Sequence, residues 1–337
     1  MGTTGYRAPR NIANALGFDA TYRMNTTRRP TSNTLPRSKV ATAQRARGLL
    51  DQQSARAALD ELFTLARKYN SSEAYLDLMR FIARFRFYSP FNAMLIHTQM
   101  PGAHFVCTAL RWHRQFHRQI KVGARPIVIL QPMGPILFVF DASDTEPLPN
   151  APSLPIGVKD PFQVRSGKIG GQLALTIENA KRDGVRVSER TDGSQRAGSI
   201  QPAAPGQRLE FTIAHKPMPK STQIPLWFEL LLNSRHSAET RYGTLVHELA
   251  HLYCGHLGTP DDRRWPDRQN LSLTVREFEA ESVSYLVCAR IGIDTASEEY
   301  LAGYVRRCPA TPSISLDRVM KSVWLLEQMG RAPLRLR

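Results

Sequence analysis

The stretch Thr244-Leu-Val-His-Glu-Leu-Ala-His-Leu-Tyr-Cys-Gly-His256 constrains this chain more than any other. No proline or glycine interrupts it between Thr244 and Cys254, and Leu245, Val246, Leu249, Ala250 and Leu252 give it the apolar faces of a buried helix. Residues four apart on an α-helix lie one turn above each other. His247 and His251 therefore project their imidazoles from one face, where both can reach a single cation. Glu248 is rotated by about 100° from His247, which leaves its carboxylate beside that cation rather than on it. In this His-Glu-x-x-His spacing the imidazoles are ligands of a zinc ion, and the glutamate can take a proton from a water that the metal activates. A core helix with two incidental histidines fits the same five residues, so the reading turns on a third ligand.

Arg276-Glu-Phe-Glu-Ala-Glu-Ser282 opens a second apolar helix that runs to Ile291 and stops at Gly292. Glu277 and Glu281 are four apart and share a face. One carboxylate can complete a two-His-one-Glu site, and the other, one turn on, can accept the outer N–H of a ligating imidazole. The assignment made here puts Glu277 on the metal and Glu281 behind a histidine; the reverse satisfies the same spacing. Glu279 points away from both, as a solvated acid that favours the helix dipole would. A longer motif with glycine three and histidine six residues after the second histidine is absent, since Cys254 and Leu257 stand there. His256 is thus out of step with the ligand face and reads as a residue of the helix end. Cys254 shares that face, yet a buried structural thiol is the commoner fate of a free cysteine.

At these residues the chain resembles the ImmA/IrrE-type metallopeptidases carried by plasmids and phages, over roughly residues 165–330. The resemblance implies a zincin-like domain with one Zn2+ held by His247, His251 and Glu277, with Glu248 as the catalytic base. It also implies a narrow protein substrate, such as a repressor or a restriction component, rather than general proteolysis.

Upstream, residues 1–43 form a basic, polar arm with little to repay ordering. Helical periodicity then runs from near Ala41 to Ala66 and through Glu73–Phe85. A third helix follows Tyr88, with Ser89 as N-cap and Pro90 in its first turn. Arg111–Arg118 reads as a short helix, and Pro126–Leu130 and Ile136–Phe140 as paired strands around Met133-Gly134. Cationic and aromatic residues interleave here, the pattern of single-strand binders that stack bases over a basic groove. Candidate contacts are Arg84, Arg86, Tyr88, Arg111, Trp112, Arg118 and Lys121, although the same aromatics are needed for a core. Tyr88-Ser-Pro-Phe-Asn-Ala-Met-Leu-Ile, Lys121-Val-Gly-Ala-Arg-Pro-Ile-Val-Ile-Leu and Val139-Phe-Asp-Ala-Ser-Asp-Thr resemble the N-terminal domain of ArdC-type antirestriction proteins over residues 44–146. That resemblance implies single-stranded DNA binding.

The whole chain suits such a partner: 45 Lys and Arg against 29 Asp and Glu give a net charge of +16. Four scattered cysteines without a C-x-x-C pair point to a reducing cytoplasm. No apolar run is long enough to span a membrane. A proline-rich linker at 147–164 separates the two expected domains. Beyond it the pattern predicts a helix over 172–183, strands over 185–189, 208–214 and 226–232, a loop at 191–198 and a closing helix over 315–327. The expected class is α+β: an α+β DNA-binding domain, then a zincin-like metallopeptidase with a small mixed sheet beside the His-Glu-x-x-His helix. Two functions follow: a DNA-recruited zinc endopeptidase, or an antirestriction binding module whose zinc is structural.

Overall fold

In a computed structural model, residues 69, 71–131, 134–154, 168–191, 197–214 and 220–335 are described. The expected basic arm, the first expected helix and most of the expected linker lie outside them. The described chain is a mixed α+β structure in which eight helices surround four small sheets. The helices are α1 (Ser72–Arg84), α2 (Pro90–Gln99), α3 (Ala109–Phe116), α4 (Gln172–Lys181), α5 (Ala238–Tyr253), α6 (Leu273–Ile291), α7 (Ala296–Arg307) and α8 (Leu316–Arg331).

Local chemistry sets most of their starts. Ser71, Ser89, Thr108, Ser237, Ser272 and Ser315 each cap a helix by accepting a hydrogen bond from a first-turn N–H. Pro90 sits in the first turn of α2, where its missing N–H costs nothing. Helix α6 is the hub of the helical layer. It buries residues all round, from Val275 to Arg290, as a helix enclosed by neighbours must. Those neighbours are α1, α5, α7 and α8. Tyr75 of α1 packs its ring, tilted, 5.2 Å from that of Phe278 and donates its hydroxyl to Ser282 Oγ at 2.8 Å.

The sheet that positions the site has the order β6 (Val185–Arg190), β10 (Phe228–Asn233), β7 (Gly198–Pro202). β10 runs parallel to β6 and antiparallel to β7, so the sheet is mixed and β7 is an edge. Helix α5 packs on β10 and β7. A hairpin of β8 (Arg208–Ala214) and β9 (Lys220–Pro225) stands apart as its own pair. In the N-terminal part, β3 (Ile127–Gln131) pairs with β4 (Gly134–Asp141) as the hydrophobic pattern predicts, and β4 also pairs with β1 (Val106–Cys107). β2 (Arg118–Ile120) pairs with β5 (Thr145–Pro147). Arg118 is therefore in a strand and not at the end of the preceding helix, because α3 closes at His117 in the left-handed region, with φ of 50°. The start expected at Leu226 for the last strand moves to Phe228.

Among the described residues, hydrophobic side chains gather in two clusters. The large one joins α1, α2, β3, β10, α5, α6 and α8, so residues upstream and downstream of 147–164 share it. The small one, Phe105, Cys107, Trp112 and Phe116, fills the space between α3 and β4.

Candidate metal centre

Helices α5 and α6 pack antiparallel in steps of one helical turn. Ser284 Oγ donates to Gly243 O at 3.4 Å, His247 faces Glu281, and His251 faces Glu277. This register brings four side chains to one place. The Nε2 atoms of His247 and His251 are 3.2 Å apart. Glu277 offers Oε2 at 3.6 Å from His247 Nε2 and Oε1 at 3.6 Å from His251 Nε2. A tetrahedral zinc ion with bonds of about 2.0–2.1 Å spaces its ligands about 3.3–3.4 Å apart. The triangle therefore fits such an ion in both donor type and size. Glu281 instead faces the other ring nitrogen, with Oε1 at 3.6 Å from His247 Nδ1. The spacing left Glu277 and Glu281 interchangeable; side-chain direction separates them.

The electrostatics fit a cation-binding pair of helices. Burial opposes a charge on His247, but the carboxylates of Glu277 and Glu281 outweigh it and hold that imidazole up at about 10. His251 is pushed down to about 4 by burial and by the charge on His247. Burial lifts the Glu248 carboxylate above its ordinary range, against the pull of His247. A carboxylate lifted in this way is a better proton acceptor near neutral pH.

Glu248 is held by the edge strand. Ala197 O accepts from Asn233 N at 3.1 Å and Ala203 N donates to Trp227 O at 2.8 Å, so odd-numbered residues of this segment pair with β10. Ile200 consequently turns its N–H outward, where it donates to the Glu248 carboxylate. A cavity of about 480 Å³ opens beside Gly198, Thr244, His247, Glu248 and Ser297. A second, of about 530 Å³, lies at the far end of β7 among Pro202, Gln207, Trp227, Leu257 and Gln269. The edge of β7 thus runs from one cavity to the other past Glu248.

One expectation is corrected. Glu279 is not a solvated acid: it has no exposed surface, and Arg268 grips both its oxygens at 2.7 Å. Burial argues against a charge there, yet hydrogen bonds from His256, Arg268 and the Ser315 N–H more than offset it and keep the carboxyl below its ordinary range. His256 does lie just past the helix end, as expected, but it is buried and its Nδ1 is 3.0 Å from His251 Nδ1. Cys254 is a buried thiol against Ser322.

The candidate DNA contacts differ in exposure and in their hydrogen-bond partners. Trp112 has no exposed surface, and its Nε1 donates to Phe140 O at 2.8 Å. It packs edge-to-face on Phe105 and at a tilt on Phe116 and has no face open to a base, which removes it from the candidate set. Tyr88 is half-buried and donates to Val106 O at 2.7 Å. Arg118 and Lys121 meet at the turn before β5, where they donate to Thr145 and to Ser143 O. Arg84 is exposed, while Arg86 and Arg111 are half-buried. Phe87, beside Arg86, is exposed, as is Phe138 on β4.

Comparison with known proteins adds one relative. The chain is 23% identical over 288 residues to an uncharacterized protein of Bacillus anthracis. The match takes in 74% of this chain but 46% of that protein, so the chain spans less than half the relative's length. No family model matches the chain, and no solved structure matches it.

Proposed function

We propose that this chain is a zinc-dependent metallo-endopeptidase whose substrate lies extended along β7. The observation that carries the reading is the close approach of His247 Nε2, His251 Nε2 and the Glu277 carboxylate, whose Oε2 lies 3.6 Å from the first imidazole and Oε1 3.6 Å from the second, with Glu248 beside them and tied to an edge strand. Structural zinc sites fill their positions with Cys and His; three ligands of this kind leave a position open. A zinc ion held there would polarise a peptide carbonyl and acidify a water. Glu248 accepts the proton of the attacking water and returns it to the leaving amine. The outward N–H and C=O of Gly198 and the outward C=O of Ile200 align the substrate by strand addition, and the flanking cavities receive its side chains. The resemblance to ImmA/IrrE-type peptidases supports the same reading and suggests a narrow target, a repressor or a restriction component. Among the described residues no helix is long and apolar enough to cross a membrane, and we place the chain in the cytoplasm.

Elemental analysis tests the ligand set. Wild type purified in metal-free buffer should carry about one zinc, and His251→Ala should lose it; equal zinc in both overturns the assignment. Glu248→Gln should keep the metal and lose about 10²–10⁴-fold in cleavage rate. Cells expressing wild type and Glu248→Gln should then differ in cleaved protein termini. Identical termini would leave a binding module with a structural zinc.

A second reading, single-stranded DNA binding, is favoured by the exposed Phe87 beside Arg84 and Arg86 and by the net charge of +16. Fluorescence anisotropy of the full chain should show preference for single strands over duplex and affinity that falls steeply with salt. Replacing Arg84 and Arg86 by Ala should weaken it. Binding that ignores salt would return these residues to an ordinary solvated face.

A further inference from the structure

We infer that His256 and Glu279 form a buried relay that fixes the tautomer and orientation of His251, which makes His256 a positioning residue of the metal centre. This rests on the reading of His247, His251 and Glu277 as ligands.

The relay begins with how α5 ends. Gly255 adopts φ of +85°; its N–H donates to Leu252 O, and the next N–H, of His256, donates to His251 O, both at 2.9 Å. This double bond pattern is the Schellman motif, in which the second residue past the cap folds back on the third residue before it. Those two residues are His256 and His251. An apolar contact usually fills that spot; here two imidazoles meet, with Nδ1 to Nδ1 at 3.0 Å.

Which ring donates follows from the far side. Glu279 Oε1 accepts from Ser315 N and Arg268 Nη2, both at 2.7 Å. Its Oε2 accepts from Arg268 Nη1 at 2.7 Å and faces His256 Nε2 at 2.9 Å. An ionised carboxylate only accepts, so His256 must present Nε2–H to it. An imidazole whose single proton is on Nε2 has its lone pair on Nδ1, and the proton shared with His251 then belongs to His251 Nδ1. That leaves the lone pair of His251 on Nε2, facing His247 Nε2 and Glu277. His247 reaches the same state by a shorter route, through Glu281 at its own Nδ1. Ligating histidines ordinarily present their outer N–H to a carboxylate, a carbonyl or water. His251 does so to a second histidine because Glu277, the α6 carboxylate in its register, faces the metal side.

Cys254, His256 and Glu279 also lie close enough to suggest a second metal, with ligand atoms within 4.8 Å of one another. Arg268 argues against it: its guanidinium already supplies the positive charge that Glu279 faces, and the His256 nitrogens are spent within the relay.

The test uses the full chain with His256→Phe, which keeps a ring without nitrogens, and His256→Gln, whose amide can accept from His251 and donate to Glu279. His256→Leu replaces the Phe variant if that one fails to fold. Zinc affinity is read by competition with a chromophoric chelator, ligand geometry by the visible spectrum of the cobalt-substituted protein, and folding by circular dichroism. We expect about 10–100-fold weaker zinc and an altered cobalt spectrum in the Phe or Leu variant, with both largely recovered in Gln. A folded Phe or Leu variant with wild-type affinity and spectrum overturns the relay. So does equal weakening in Phe, Leu and Gln, which would make the role one of packing. A wild-type chain without zinc affinity overturns the centre itself before any variant is compared.

Discussion

Three buried thiols show how far burial alone sets residue chemistry in this protein. Cys107, Cys254 and Cys288 are pushed up to about 12 chiefly by burial, and a neighbouring Glu279 adds to the effect at Cys254. The reactive species is the thiolate, so at pH 8 these side chains are almost wholly protonated and inert. Cys308 is only half-buried. Iodoacetamide at pH 8 should therefore modify folded protein at Cys308 alone, with the other three labelled only after denaturation, as peptide mass spectrometry would show. Labelling of Cys254 in folded protein would mean that the end of α5 opens to solvent. At this scale the sequence was legible where periodicity carries the signal. Four-residue spacing put His247 and His251 on one face and Glu277 and Glu281 on another. It was silent on which glutamate faces which nitrogen, because that depends on the register of two helices rather than on either one. Glu279 was misread for a related reason: its partners come from elsewhere, Arg268 and His256 from the loop after α5 and Ser315 from the start of α8.

Helix ends carry more function here than helix bodies suggest. α5 and α6 both finish at a left-handed glycine, Gly255 with φ of 85° and Gly292 with φ of 84°. Gly292 was visible in the sequence as a stop signal. Gly255 marks a similar turn, and the residue after such a glycine folds back over the last helical turn; that rule, applied to Cys-Gly-His256, would have brought His256 onto His251 without a structure. β7 was not legible. Gly-Ser-Ile-Gln-Pro has no apolar alternation, and β10 imposes its strand conformation by pairing. The two glycines make a matched experiment. Gly292→Ala should cost about 1–2 kcal/mol, the ordinary penalty of a left-handed backbone, and leave zinc affinity alone. Gly255→Ala should cost more, because a Cβ there would lie 2.1 Å from Pro266 O and the loop must move. It should also weaken zinc by separating His256 from His251. Urea unfolding and chelator competition measure the two effects, and unchanged zinc affinity in a destabilised Gly255→Ala protein would count against the coupling.

Across the whole molecule, one buried cation joins parts of the chain that are distant in sequence. Arg290 of α6, 5% exposed, donates Nη1 to Ile82 O at 2.8 Å and Phe85 O at 3.1 Å, Nη2 to Tyr88 O at 2.7 Å, and Nε to Glu327 of α8. Carbonyls in the last turn of a helix have no partner within it; Arg290 supplies the donors for Ile82 O in the last turn of α1 and for Phe85 O and Tyr88 O beyond it. A single residue thus ties the start of the described chain to the helix that carries Glu277 and Glu281 and to the closing helix. Arg290→Met should cost about 3–5 kcal/mol, since it removes the donor from three carbonyls and from Glu327 Oε1 and leaves that buried carboxylate with Arg331 alone, at Oε2. Arg290→Met with Glu327→Met should recover part of that loss, because an apolar pair leaves no uncompensated charge. Because the apolar cluster is continuous from α1 to α8, urea unfolding should be one cooperative transition in both tryptophan fluorescence and far-ultraviolet dichroism. The variants should shift its midpoint together in both signals. Two separated transitions, with only one moved by Arg290→Met, would show that residues 72–99 fold apart from the metal centre and that Arg290 does not couple them.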